Sequence, residues 1–290
     1  MTRRLGLLAL GAASLAAGCA RAPLADDDAT TLARFADARA LAVTPGGGVY
    51  VVDAGEAVVV VLGPGRVAPR TLGGPGTGDG GFLSPVDIDP TNGQALFVAD
   101  EAGTVVHLTA EGRVAESVAV PDVDPTRIAR AVGPTPTDAP RGRPLALAAA
   151  ADGALYVVEG QRGVVLRLDS QRETERVLGA RGAGALAEPV GVAVGPGGTV
   201  YVADAGRGVL QPFDAFGAPL LALPVDGQPV AVGAAGDSVW VVTPSAVTLF
   251  GAEGDRQRTV PVALGEPLVD AAFVPGGLLV LTRTRLVRID

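Results

Sequence analysis

At 290 residues the chain can hold one large domain or two small ones, and 48% hydrophobic residues with only 4% aromatics supply an ample but mostly aliphatic core. Gly (41) and Pro (23) are abundant without a collagen-like period, which disfavours a helical protein and suits an all-β one full of tight turns. The 31 acidic residues outnumber 23 basic ones, all of them Arg and scattered, so no basic patch offers itself to nucleic acid, and the single Cys excludes intramolecular disulfides.

The chain opens on Arg3 and Arg4, then runs apolar from Leu5 to Ala17, a stretch too short to cross a membrane and suited to a secretory signal. The segment Leu15-Ala16-Ala17-Gly18-Cys19 resembles a bacterial lipobox, with its Leu four residues before the Cys where the usual pattern has three. The resemblance implies export, cleavage before Cys19 and lipidation of its thiol. Ala20 after the Cys implies the outer membrane, since an Asp there would resemble an inner-membrane retention signal. Residues 1–18 are then a signal peptide and 19–29, with Asp26, Asp27 and Asp28 in a row, an acidic tether held to the membrane by lipid rather than charge.

From residue 30 one pattern recurs: Pro, apolar, small, apolar, a Gly-rich turn, then aromatic-Val-small-acid. It reads Pro85-Val86-Asp87-Ile88 with Phe97-Val98-Ala99-Asp100, and Pro144-Leu145-Ala146-Leu147 with Tyr156-Val157-Val158-Glu159. It returns as Pro189-Val190-Gly191-Val192 with Tyr201-Val202-Ala203-Asp204, and as Pro229-Val230-Ala231-Val232 with Trp240-Val241-Val242-Thr243. Pro and aromatic are 12, 12, 12 and 11 apart in these four copies. A first copy without the Pro has Ala40-Leu41-Ala42-Val43 and Tyr50-Val51-Val52-Asp53, and a last one pairs Pro267 with Leu279-Val280-Leu281-Thr282. Most units continue into a third strand, such as Val209 to Phe213, and a fourth, such as Pro219 to Leu223, so each reads as a four-stranded antiparallel meander. Such a unit cannot bury both faces alone, and six of them stack radially into a closed ring.

These residues resemble the NHL-repeat propellers, whose Pro-x-Gly-apolar-Ala-Val and Gly-x-apolar-Tyr-Val-Ala-Asp segments the fourth copy matches almost letter for letter. The resemblance covers residues 30–290 and implies an all-β, six-bladed β-propeller of four-stranded blades. The chain stops one strand short after Leu286-Val287-Arg288-Ile289, while Thr31-Leu32-Ala33-Arg34-Phe35 precedes the first copy without a unit of its own. That N-terminal strand is expected to complete the sixth blade and close the ring.

Strand alternation places Asp53, Asp100, Glu159 and Asp204 on the face of the inter-blade connections, either capping turns through backbone N–H groups or ringing a mouth that binds a cation or basic ligand. Asp87 and Asp89 point into the central channel, where they are solvated carboxylates or ligands of Ca²⁺, the only cofactor the sequence suggests. The longest insertion, Val120 to Arg143, is stiffened by Pro and locally basic through Arg127, Arg130, Arg141 and Arg143, as befits a lid, a docking loop or a tolerated insertion.

One His, His107, and one Asn, Asn92, argue against enzymes of this architecture that use several His for zinc or a Glu, Asn and Asp cation site. No nucleophile–base pair stands at a plausible spacing. The sequence therefore reads as a monomeric, lipid-anchored, non-catalytic binding module whose partner is an envelope protein, peptide or glycan. The alternative is a hydrolase or lyase with Asp87 and Asp89 as cation ligands.

Overall fold

A computed structural model describes residues 24–25, 29–63, 68–78, 80–91, 95–124 and 140–289. They form six antiparallel sheets arranged as the blades of a propeller. The inner strands, in blade order, are Ala38–Val43, Pro85–Asp89, Pro144–Ala149, Pro189–Val194, Ala231–Ala235 and Leu268–Val274. Each is followed by the strand that carries the aromatic-Val-small-acid motif, for example Val200–Asp204 in blade four. These second strands are buried along their whole length in blades three and four because both faces pack on neighbouring blades. That is why they read as continuous apolar runs rather than alternating ones. Val51, Val98, Val157, Val202, Val241 and Val280 are fully buried at the same register of the six blades.

The Pro that opens the repeat has a backbone reason. Pro85, Pro144 and Pro189 face Asp100, Glu159 and Asp204 just before a bulge in the ladder, where no N–H is required.

The ring closes as the strand count predicts. Ala29–Arg34 pairs antiparallel with Arg285–Ile289 and completes blade six, and Phe35 N–H continues the contact by donating to Thr284 O at 2.9 Å. A second N-terminal contact lies within the expected tether: Leu24–Ala25 runs parallel to Val262–Ala263 and adds a fifth strand to blade five.

Blade four departs from expectation at its rim. Its outer strand is Leu223–Pro224, not Pro219 to Leu223. Pro212 and Pro219 both lack an N–H, so the ladder between them reduces to a bridge at Phe213 and Pro219. The Gln211 amide fills the gap by donating to Pro212 O and Leu220 O, both at 2.9 Å. No helix among the described residues is long and apolar enough to cross a membrane.

Candidate functional site

The inner strands leave a channel along the axis that widens toward the end carrying the turns between first and second strands. There it forms a funnel of about 1350 Å³. Its walls are small and apolar, with Ala42, Val194 and Ala234 among them, and Trp240 and Phe273 supply an aromatic pair. Those two rings meet edge to face with centroids 5.6 Å apart, and Trp240 Nε1 donates to Ala271 O at 2.7 Å. Gly233 makes room for the indole, since a Cβ there would fall 2.4 Å from the Trp240 ring.

Three carboxyls close the funnel floor. Asp87 Oδ2 accepts from Leu147 N at 2.7 Å and Asp89 Oδ2 from Ala149 N at 2.7 Å, both on the inner strand of blade three. Asp270 Oδ2 accepts from Leu41 N at 2.7 Å on blade one. The other oxygen of each accepts a nearby amide of its own segment: Ile88, Thr91 and Ala271. The first strand of a blade has a free edge toward the axis, and these carboxyls satisfy its amides from the preceding blade. Each oxygen so used keeps a lone pair for a ligand.

Loss of solvation in the narrow channel raises the Asp87 carboxyl to about 8, with the nearby Asp270 and Asp89 charges adding to the effect against the Leu147 and Ile88 hydrogen bonds. The same desolvation raises Asp270 to about 7 and also raises Asp89. Below these carboxyls the channel narrows to a space of about 70 Å³ that ends at Arg39. Arg39 is ion-paired to Asp37 at 2.7 Å.

Asp270 stands at the register of Asp87, because Asp87 faces Ala99 and Asp270 faces Leu281, each two residues past the anchoring position of its strand. The sixth hairpin is one residue shorter than the second, so counting twelve back from Leu279 to Pro267 misplaces it. The shorter count of the fifth copy, where Ala231 faces Val242, is the signal that finds it.

Asp53, Asp100, Glu159 and Asp204 lie at the other end and do not line the funnel. All four are at most 3% exposed. Asp53 accepts from Ala36 N and Asp37 N, both at 2.9 Å, and from Gly55 N at 3.1 Å. Asp100 does the same with Leu83, Ser84 and Ala102, and Glu159 with Arg143, Gln161 and Arg162. Asp204 accepts from Ala187 N at 3.0 Å and Glu188 N at 2.9 Å. Each acid thus fastens the connection entering its blade to the end of its second strand, and Asp53, Asp100 and Glu159 also hold the turn that follows.

The two ends of the long insertion, residues 120–124 and 140–143, lie at this same end. Asp122 N–H donates to Pro140 O at 2.9 Å across its base, and Asp122 pairs there with Arg162 at 2.7 Å. Arg127 and Arg130, like Cys19 and Asn92, lie outside the described residues. His107 is half-buried against the Phe97 ring, with centroids 4.5 Å apart, and burial lowers its pKa. No three His, Cys, Asp or Glu side chains gather into a candidate metal cluster among the described residues.

Comparison with known proteins bears on the fold. The model of the NHL repeat matches residues 186–211, within the fourth copy. No curated protein matches the chain in sequence. Among solved structures, virginiamycin B lyase from Staphylococcus aureus aligns with a TM-score of 0.61 and 12% identity, over 90% of this chain and 98% of that one. A luciferin-regenerating enzyme aligns at 0.63 and 14% over 90% and 94%. A chain of a nidogen/laminin complex aligns at 0.58 and 17% over 77% and 80%. Identities this low carry the fold and nothing finer. The chain is a six-bladed β-propeller that carries an NHL repeat.

Proposed function

We propose that the chain is a non-catalytic binding module of the bacterial cell envelope, held there by a lipid on Cys19, whose funnel receives the apolar part of a peptide or protein partner. The observation that carries this reading is the funnel itself. Its volume suits several side chains, its walls are mostly aliphatic with one aromatic pair, and carboxyls stand at its floor. Such walls favour a peptide over a glycan.

Among its lining residues the ionisable groups are Asp87, Asp89, Asp270 and Arg288, with no His, Cys, Ser or Lys to form a nucleophile–base pair. The solved neighbours include both lyases and a chain of a nidogen/laminin complex, so the fold is compatible with binding and with catalysis. In the structure of a catalytically inactive virginiamycin B lyase a His is replaced by Ala, and the described funnel here has no His to match it.

One observation favours a second reading. With its carboxyl raised to about 8, Asp87 holds a proton at neutral pH and is suited to donate it to a leaving group, while Asp89 offers a cation ligand. Equilibrating the purified lipoprotein with Ca²⁺ and other divalent metals and assaying lactone, ester and cyclic-peptide cleavage separates the two. Expected are no turnover and saturable binding of apolar peptides that Ala234→Arg abolishes by filling the funnel. Stoichiometric metal with turnover lost in Asp87→Asn would establish the hydrolase or lyase instead. Mass analysis of the N-terminal peptide tests the anchor, and an unmodified Cys19 would overturn that part.

A further inference from the structure

We infer that the rim of blade four, Ala215 to Leu221, is a membrane-contacting loop that sets the propeller edge-on against the lipid surface. This rests on the lipid-anchored reading above.

The corresponding rim segments of blades two, three and five are charged. Blade two has Ala110-Glu111-Gly112-Arg113, blade three Ser170-Gln171-Arg172-Glu173-Thr174-Glu175-Arg176, and blade five Ala252-Glu253-Gly254-Asp255-Arg256-Gln257-Arg258. Blade four has Ala215-Phe216-Gly217-Ala218-Pro219-Leu220-Leu221, with no charge. Phe216 is 83% exposed, Leu221 85% and Leu220 46%, whereas the other large exposed apolar side chains, Leu32, Leu83 and Val114, stand singly on other blades. Three exposed apolar side chains within six residues of an acidic protein mark a contact.

Two features say which contact. The edge does not suit an added β-strand, because Pro219 and Pro224 remove amides that strand would need. The patch also lies on the outer edge of the blade next to the one that Leu24–Ala25 joins. Leu24 pairs with Val262, on the outer strand Arg256–Ala263 of blade five. The first residue of that strand, Arg256, binds Asp226 and Pro224 O of blade four, and Leu223 packs beside Gly254. Cys19 is five residues before Leu24, a reach of at most about 17 Å. A lipid on Cys19 therefore holds the outer edges of blades four and five near the bilayer, where Phe216, Leu220 and Leu221 meet the acyl boundary. An anchor joined to a second apolar contact binds with a defined orientation, which a single tether does not give.

Trp240, the only Trp, is buried and hydrogen-bonded, so a new Trp reports against a steady background. The acylated protein carrying Phe216→Trp, Leu221→Trp or, as control, Glu111→Trp is bound to phosphatidylethanolamine–phosphatidylglycerol vesicles with brominated acyl chains. Expected at 216 and 221 are a blue shift and a several-fold loss of emission, with neither at 111. Equal quenching at all three positions, or none at 216 and 221, overturns the orientation. So does a blue shift at 216 and 221 without vesicles that tracks dimer formation in sedimentation, because a second copy then covers the patch. If mass analysis finds Cys19 unmodified, the anchor reading fails by itself. Coupling the chain from Cys19 onward, through its only thiol, to a maleimide lipid then repeats the same readings and decides the rim.

Discussion

Blades one to four and blades five and six are fastened by different means. In the first four, a buried carboxylate at the end of the second strand accepts two or three amides and ties the incoming connection to that strand. In the last two that residue is Thr243 or Thr282. Thr243 Oγ1 donates to Ala246 O at 3.2 Å and Thr282 Oγ1 to Arg285 O at 3.4 Å, so both hydroxyls stay within their own hairpins. Those same two blades receive the N-terminal strands, Leu24–Ala25 on blade five and Ala29–Arg34 on blade six. A ring fails at its weakest junction, so the difference teaches that pairing from the far end of the chain replaces the local acid.

The largest effect that bears on this comparison is removal of Ala29–Arg34. Its loss should unfold all six blades in one urea transition, because blade six loses its outer strand and the ring its closure. A variant with an unchanged midpoint would break the comparison. Next, Asp204→Ala should cost about 3 kcal/mol by removing the buried acceptor of the Ala187 and Glu188 amides. Thr243→Ala should cost about 1 kcal/mol, a hydroxyl bond within one hairpin. Equal costs in urea unfolding would mean that the two classes of blade are fastened alike.

A test against pH rather than denaturant sharpens the contrast between turn carboxylates and channel carboxylates. Asp87 is raised from 3.8 to about 8 on folding, so the native state binds the proton more tightly than the unfolded chain. Its contribution to stability is full below 3.8 and is lost as the pH rises through about 8. Thermal midpoints should therefore decline across that window, and Asp87→Asn should flatten the decline. A slope the variant leaves untouched would remove Asp87 as its source.

Much of this was legible in the residues. The repeat is visible because strands buried on both sides are apolar throughout and are separated by Gly and Pro turns. Closure follows from a sixth copy one strand short. Asp270 was hidden because a hairpin shorter by one residue shifts the register without altering the motif. The rim of blade four was misread because Pro219 opens an apolar run like a strand but cannot hold its place in a ladder. Leu24–Ala25 gave no signal, being two residues among acids. Which end of the channel widens depends on how blades twist around the axis, and no local pattern carries that.

The closure strand also imposes an order of events. Ala29 meets Ile289, so the first and last strands of the ring are joined across nearly the whole chain. Local hairpins and neighbouring blades can pair as they are synthesised, but this contact must wait until Arg285–Ile289 has emerged. Any machinery that handles the growing chain therefore meets an open arc of blades with a loose leading strand. A chain cut before Arg285 is left with five complete blades and no ring.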